Sequence, residues 1–258
     1  MLAGRLIHPR LMAELLNDCD VKGCFGAWDA GWLRRHGVPD CRYFQSPILD
    51  AAGPAWQAMR DALPPRPKPK IVTAVSHLGA TSTSAMLGML ATEIIPRLER
   101  TLGPEGFEVH VVGEGQPPKE LAALLPRPSV ILRGRVEPAD AELLSADVLL
   151  IPTPIVLGLR LRIITGMSFG CCVVAHTNEA LNIPELIHDQ NALLASSGAG
   201  LADAVIRAIR DPALRRRLGA NGRKTYEEHF HPGVAGNRMV VELERVAQAS
   251  EPVLVPAS

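Results

Sequence analysis

Residues 147–177 read DVLLIPTPIVLGLRLRIITGMSFGCCVVAHT, and this stretch decides the fold. An apolar run at 147–153 and a second at 171–177 flank a helical pattern over 159–169, which ends at Gly170. A glycine just past a periodic segment is typical of a helix C-terminus. Both runs are almost continuously apolar, as expected of parallel strands that are covered on both faces. The stretch therefore predicts a strand-helix-strand unit of a parallel sheet.

The alternation continues on both sides of this unit. Further apolar runs of β type are predicted at 71–77, 107–113, 129–136 and 191–196. Helical patterns separate the runs near 82–100, 118–125, 138–146 and 201–210. Strands that alternate with helices predict the α/β class, with a Rossmann-like, doubly wound parallel sheet.

Five segments are expected along the chain. They are an N-terminal partial α/β unit at 1–50, a Pro-rich linker at 51–70, the Rossmann-like domain at 71–231, a helix at 232–248 that crosses back to the N-terminal unit, and a tail at 249–258. Within the linker, the run PPRPKPK favours an extended chain.

The N-terminal unit is too small to bury a sheet by itself. Its pattern predicts a helix at 11–17, a strand at 19–26, a helix at 28–37 and a strand at 41–48. One such unit cannot cover both faces of a sheet, so we expect it to pack on the second domain, on the final helix or on another chain.

Charge and cysteine usage narrow the function. Lys+Arg and Asp+Glu number 27 each, and the resulting net charge of zero argues against an electrostatic nucleic-acid binder. The five cysteines are scattered, which argues against a disulfide framework or a zinc site and favours a reducing compartment. The most apolar stretch is too short for a transmembrane helix. We therefore expect a soluble, cytoplasmic protein without a transmembrane segment, a nucleic-acid partner or a bound metal.

Two arginines, Arg160 and Arg162, stand at the start of the helix in the opening stretch. In open parallel sheets, ligands bind beyond the carboxyl ends of the strands, where this helix begins. The positive end of the helix dipole disfavours cations there unless an anion compensates them. Because the guanidinium fork suits a diphosphate, the pair predicts phosphate recognition. The alternative is that one or both side chains point into solvent.

These residues resemble a motif of GT-B-fold glycosyltransferases, in the C-terminal, donor-binding domain of the group 1, retaining, nucleotide-sugar-dependent type. Relatives carry the loop G-x-R-x-K/R-I-x-E-A-M-x-x-G-x-P-V-V-A, which is matched at Gly158, Arg160, Arg162, Ile163, Met167, Gly170 and 173–175. Residues 183–186 and 191–194 are similar to the family's I-P-E-L-I-x-x-x-N-A-L-L. The likeness covers residues 70–248, and residues 19–50 resemble the end of a truncated N-terminal domain.

The resemblance implies retaining transfer of a sugar from a nucleotide-diphosphate sugar, with no metal or other cofactor. It assigns the leaving diphosphate to Arg160 and Arg162, and the hydroxyls of ribose or sugar to Thr165 and Glu185. The candidate donor-binding residues are Ser76, His77, Arg133, Arg135, Gly158, Arg160, Arg162, Thr165, Asn182 and Glu185. No catalytic residue is assigned, and the acceptor is unknown.

Two departures from the family pattern leave a second interpretation open. Relatives use a Glu-x7-Glu pair whose positions fall at Leu157 and Thr165, so both carboxylates are missing. Thr165 offers a hydroxyl without a charge. Together with the short N-terminal unit, this loss permits an alternative: a non-catalytic descendant that binds a nucleotide or a partner protein.

The aromatic residues of the N-terminal unit also predict a protein partner. Half of the chain's ten aromatic residues fall within it, namely Phe25, Trp28, Trp32, Tyr43 and Phe44. Exposed apolar patches mark interfaces, and an open strand edge invites pairing with another chain. We therefore predict a homodimer, or a complex with a separately encoded acceptor-domain subunit, through residues 19–48.

Overall fold

The first described elements form a small α/β unit. The computed structural model describes residues 9–138, 140–156 and 158–249. The unit consists of α1 (Pro9–Asn17), β1 (Gly23–Cys24), α2 (Ala27–Arg35) and β2 (Arg42–Tyr43). The two strands pair in parallel, and the helices cover a small apolar cluster that includes Ala30, Leu33 and Val38. Both strands are shorter than predicted, because each has one neighbour and α2 begins three residues after β1 ends.

The segment predicted as a linker contains a helix that the sequence pattern did not indicate. A 3-10 turn at Gly53–Ala55 leads into α3 (Trp56–Asp61). The Trp56 ring lies against Gly170, where a β-carbon would collide with it. Arg60 Nη2 donates to the carbonyl of Ala146 at 2.6 Å. Residues 53–61 therefore pack on the following domain, and the extended stretch is confined to the Pro-rich run after them.

Six parallel strands form the central sheet, which confirms the predicted doubly wound fold. They are β3 (Lys70–His77), β4 (Glu108–Glu114), β5 (Val130–Gly134), β6 (Val148–Ile151), β7 (Cys172–His176) and β8 (Ala192–Ala195). The order across the sheet is β5-β4-β3-β6-β7-β8. From β3 the chain adds β4 and β5 on one side and then crosses over to add β6, β7 and β8 on the other side, so the topological switch point lies between β3 and β6.

Helices cover both faces of the sheet. In chain order they are α4 (Thr81–Met89), a π-helical turn (Leu90–Ile94), α5 (Ile95–Leu102), α6 (Lys119–Ala122), α7 (Asp140–Leu144), α8 (Leu161–Ser168), α9 (Glu179–Asn182), α10 (Gly198–Arg210), α11 (Pro212–His229) and α12 (Pro232–Ala249). Ile71 and Val148 face the core under α4, α5 and α10, whereas their neighbours Val72 and Leu149 face α7, α8 and α11. This double burial explains the continuous apolar runs of the strands.

The N-terminal unit is joined to the sheet domain through α11 and α12. Tyr226 Oη donates to the carbonyl of Ile48 at 2.7 Å, and the amide of Ile48 donates to the carbonyl of Phe230 at 3.0 Å. On α12, Glu242 forms an ion pair with Arg42, so this helix also contacts the N-terminal unit.

Some sequence predictions lie outside the described residues. These are residues 1–8, Leu157 at one position of the missing carboxylate pair, and positions 250–258 of the tail. Among the described helices, none is both long and apolar enough to cross a membrane.

Candidate functional site

Two adjoining cavities open at the carboxyl edge of the sheet, around the switch point. The smaller, about 80 Å³, lies between the ends of β3 and β6; the larger, about 430 Å³, extends over β3 and β4 towards α7. Both are lined by Ala74, Val75, Ser76 and Arg162, so they form two parts of one cleft. This is the position at which doubly wound sheets bind their ligands.

The two arginines of the sequence motif meet at the smaller cavity. Arg160 is the N-cap residue of α8 and Arg162 is its second residue, so the short loop after β6 delivers both to the end of the sheet. Among the described residues, none forms a hydrogen bond or ion pair with Arg162. Burial, and after it the charge of Arg160, lowers the pKa of the Arg162 guanidinium, which nevertheless stays charged at neutral pH. A half-buried, uncompensated cation of this kind favours an anionic ligand.

Apolar side chains form most of the larger cavity. Val72, Val112, Val136 and Leu143 supply the walls, and Thr165 stands at the rim. Glu114, Arg135 and Glu142 add charged groups to the lining. A concave, mostly apolar site with a few polar groups is typical of small-molecule binding.

Thr165 and Ser76 provide neutral polar groups in this cleft. Thr165 Oγ1 donates to the carbonyl of Leu161 at 3.1 Å, one helical turn back, and its lone pairs remain able to accept. Ser76 is exposed at the end of β3 and lines both cavities. The structure thus brings the two residues beside Arg162, and their part in donor binding stays a prediction.

A buried carboxylate stands behind Arg160, and the sequence analysis did not single it out. Glu179, the first residue of α9, is 4% exposed, and its Oε1 lies 3.6 Å from Arg160 Nε, with no hydrogen-bond partner in the part of the chain that the structure describes. Burial raises the pKa of Glu179 to about 7, although the charge of Arg160 opposes the rise. Glu179 follows the end of β7, at the carboxyl edge of the sheet where ligands bind, and this position was the one feature of the sequence that pointed to it.

Gly158, Asn182 and Glu185 lie at the junction with the N-terminal unit. Asn182 Nδ2 donates to the carbonyl of Gly158 at 3.0 Å, while its Oδ1 accepts from the amides of Trp28 and Asp29 at the start of α2. With both ends of its amide engaged, Asn182 caps α2 and ties it to the loop before α8. Gly158 has a φ of 61°, the left-handed region that favours glycine.

Both carboxylate oxygens of Glu185 accept hydrogen bonds from the N-terminal unit. Its Oε2 accepts from Tyr43 Oη and its Oε1 from Gln45 Nε2, each at 2.9 Å. Burial and the nearby carboxylate raise the pKa of Tyr43 well above its ordinary value, so the phenol remains a donor. In this arrangement Glu185 anchors the segment after β2 instead of facing the cleft.

The remaining candidates lie around the edge of the site. His77 is exposed, and its Nδ1 accepts from the amide of Gly79 at 3.1 Å. Arg133 pairs with the buried Glu142, Nε to Oε1 at 3.0 Å, below the larger cavity. Arg135 lines that cavity, but its guanidinium is already paired with Glu137 and Glu114.

Within the described part of the chain, no three His, Cys, Asp or Glu side chains lie close enough together to bind a metal ion.

Fold and site together define a Rossmann-like domain with a cationic cleft at its switch point. The chain belongs to the group 1 glycosyl transferases, whose family model matches residues 69–211, more than half of its length. The family resemblance of the sequence motifs is thereby confirmed. No curated protein matches the sequence.

Solved structures agree with this assignment at the level of the fold. Sucrose-phosphate synthase from Thermosynechococcus elongatus is 20% identical, with a TM-score of 0.72 over 94% of this chain and 62% of its own. HepE from Anabaena, solved in complex with UDP and glucose, is 15% identical, with a TM-score of 0.73 over 92% and 66%. A glycosyltransferase from Rickettsia africae is 12% identical, with a TM-score of 0.73 over 93% and 68%. The chain spans less than two thirds of the synthase and of HepE.

Proposed function

We propose that this chain is a glycosyltransferase domain that binds a nucleotide-diphosphate sugar at the carboxyl edge of its sheet and transfers the sugar to an acceptor hydroxyl. The observation that carries the proposal is Arg162, a half-buried guanidinium beside Arg160 at the switch point, with no hydrogen-bond or ion-pair partner among the described residues. Membership of the group 1 family supports the reaction, and the UDP complex of the structurally similar HepE supports the ligand class.

The two cavities suggest where each part of the nucleotide-diphosphate sugar binds. We assign the diphosphate to the small cavity at Arg160 and Arg162, and the base and ribose to the larger, mostly apolar cavity, with Thr165 at the ribose. In the transfer, the bond between the sugar carbon and the diphosphate oxygen breaks as the acceptor oxygen bonds to that carbon, and the proton of the acceptor hydroxyl passes to an oxygen of the departing diphosphate. The arginines stabilise the negative charge that develops on the departing nucleoside diphosphate, without need of a metal.

Thr165 has consequences for the strength of donor binding. A carboxylate at this position would accept a charged hydrogen bond from the ribose, whereas the Thr165 hydroxyl offers a neutral one, worth about 1 kcal/mol. We therefore expect donor affinity to depend mainly on the arginines.

The scattered cysteines of the sequence support a reducing compartment, and we place the reaction in the cytoplasm on that basis.

Calorimetric titration with nucleotide sugars tests the proposal. UDP-glucose, GDP-glucose and ADP-glucose are titrated into the protein, into Arg162→Gln, and into Arg216→Gln as a control, which removes an exposed arginine of α11. A charge-assisted contact contributes about 1.5–3 kcal/mol, so Arg162→Gln should weaken binding about 10- to 150-fold. The control should bind like the parent protein. No binding of any of the three at millimolar concentration, or equal binding by Arg162→Gln, contradicts the proposal.

A further inference from the structure

Glu179 is a buried carboxylate with an incomplete set of partners, next to the proposed diphosphate site. Its contact with Arg160 Nε, at 3.6 Å from Oε1, is an ion pair without a hydrogen bond. A carboxylate buried to this degree ordinarily accepts several hydrogen bonds. Arg160 itself lines the small cavity, so it stands between Glu179 and the place assigned to the diphosphate.

The position of Glu179 is fixed by its neighbours on both sides. Asn178 Nδ2 donates to the carbonyl of Pro154 at 2.6 Å, and Asn182 Nδ2 donates to the carbonyl of Gly158 at 3.0 Å. These two bonds bracket Glu179 and tie α9 to the loop that carries Arg160. The two bonds hold the backbone of Glu179 beside Arg160, which favours a change in the protonation of the carboxylate over a movement of its helix.

The electrostatic surroundings make the charge of Glu179 marginal at neutral pH. Charged or titratable residues on the two elements that pack against α9 are Asp29, Arg34 and Arg35 on α2 and Cys172 and His176 on β7. The charge that acts on Glu179 is that of Arg160, and burial outweighs it, so the pKa of Glu179 lies near 7. A diphosphate on Arg160 brings further negative charge close to this carboxylate, which favours its protonated form.

We propose that Glu179 is a positioning residue that holds Arg160 towards the small cavity and takes up a proton when the diphosphate of the donor engages that arginine. The inference rests on the proposed function, since it takes the ligand to be a diphosphate ester. Ionised Glu179 competes with the ligand for Arg160, and protonated Glu179 leaves the arginine to it. Donor affinity therefore falls as the pH rises through neutrality.

The size of the effect follows from proton linkage. If binding raises the pKa of Glu179 by about one unit above its value near 7, the affinity at pH 8 is about fivefold weaker than at pH 6. Glu179→Gln mimics the protonated state. It should keep the affinity that the parent protein shows at pH 6, with a change of less than about twofold up to pH 8.

Isothermal titration calorimetry in two buffers of different ionisation enthalpy measures the proton uptake directly. UDP-glucose is a suitable probe, because both of its phosphates are esterified and neither titrates near pH 7. The parent protein should take up a fraction of a proton per ligand at pH 7.5, and Glu179→Gln should take up none. Glu228→Gln, which removes an exposed glutamate of α11, is the matched control and should behave like the parent.

Two results overturn the inference. Proton uptake that persists unchanged in Glu179→Gln shows that another group titrates, and binding by Glu179→Gln that is weaker than the parent at both pH values shows that the charged carboxylate is needed. Should Glu179→Gln fail to fold, Arg160→Gln carries the same test: removal of the shared cation should abolish the uptake, and persistence of the uptake contradicts the proposal.

Inorganic pyrophosphate separates this inference from the proposed function. If no nucleotide sugar binds the parent protein, the proposed function fails. Because pyrophosphate itself titrates near neutral pH, the readout is the comparison of the two proteins: an affinity of the parent relative to Glu179→Gln that falls as the pH rises still supports the role of Glu179. Conversely, nucleotide-sugar binding with identical pH profiles in both proteins keeps the proposed function and refutes the role of Glu179.

Discussion

Replacement of Asp50 by alanine should weaken the attachment of the N-terminal unit to α11 and lower the stability of the fold. Asp50 follows β2, and its two oxygens accept from Nη1 and Nη2 of Arg223 at 2.7 and 2.6 Å, a bidentate pair between the segment after β2 and the long helix. The guanidinium is 5% exposed and the carboxylate 14%. Burial opposes ionisation of Asp50, but the bonds from Arg223 and from the amide of Gly53 outweigh it and lower the pKa of the carboxyl.

The loss of stability in Asp50→Ala depends on the partners that Arg223 keeps. Removal of one partner of a buried ion pair costs about 3–5 kcal/mol, because the other charge stays buried. Here Arg223 keeps Glu227 Oε1 and the carbonyl of Ser168, each at 2.6 Å. We therefore expect a loss of about 3 kcal/mol in the free energy of unfolding, the lower end of that range.

Urea unfolding followed by tryptophan fluorescence measures the loss. Asp203→Ala is the control, since it removes the carboxylate of the exposed Arg97–Asp203 pair and should leave the midpoint nearly unchanged. Because the pKa of Asp50 is lowered by folding, its stabilisation is present above the ordinary carboxyl pKa and is lost as the pH falls through the folded value. Equal stability of Asp50→Ala and the control at pH 7 would refute the reasoning.

Three further outcomes are expected. Thr165→Glu should keep nucleotide binding and strengthen it in calorimetry, because a charged acceptor replaces a neutral one; an unfolded variant would show that this position belongs to the core. Gly219→Ala should lower the free energy of unfolding by about 1–3 kcal/mol in urea titration, since its β-carbon would collide with the backbone of Gly170; unchanged stability would mean that α11 shifts freely. Light scattering tests the first of the two predicted complexes, a homodimer formed through residues 19–48, and a stable monomer in solution would exclude that option.

The sheet could be predicted because each inner strand produces a recognisable apolar pattern within its own few residues. The inner strands β3, β4, β6 and β7 are buried on both faces for most of their length, so their apolar runs are continuous and easily recognised. The arginine pair was predictable for the same reason, since a short loop joins β6 to α8 and the carboxyl-edge rule fixes where that loop lies. These features need no knowledge of contacts between distant residues.

The parts that escaped the sequence depend on distant contacts. α3 was missed because a short helix beside a Pro-rich run has a weak local pattern, and the packing of Trp56 on Gly170 stabilises it. Glu179 was missed because its significance lies in its distance from Arg160, across 19 positions of the chain. The use of Asn182 as a cap for α2 joins residues 154 positions apart, and no local pattern indicates such a bond.

The most direct test of the central claim is a crystal structure of the chain with the nucleotide sugar that binds most tightly in calorimetry. We expect the diphosphate within hydrogen-bond distance of the Arg160 and Arg162 guanidinium groups. The base should lie in the larger cavity against Val112 and Val136, with the ribose near Thr165. A nucleotide bound elsewhere, or one at this edge whose diphosphate contacts neither arginine, would contradict the claim.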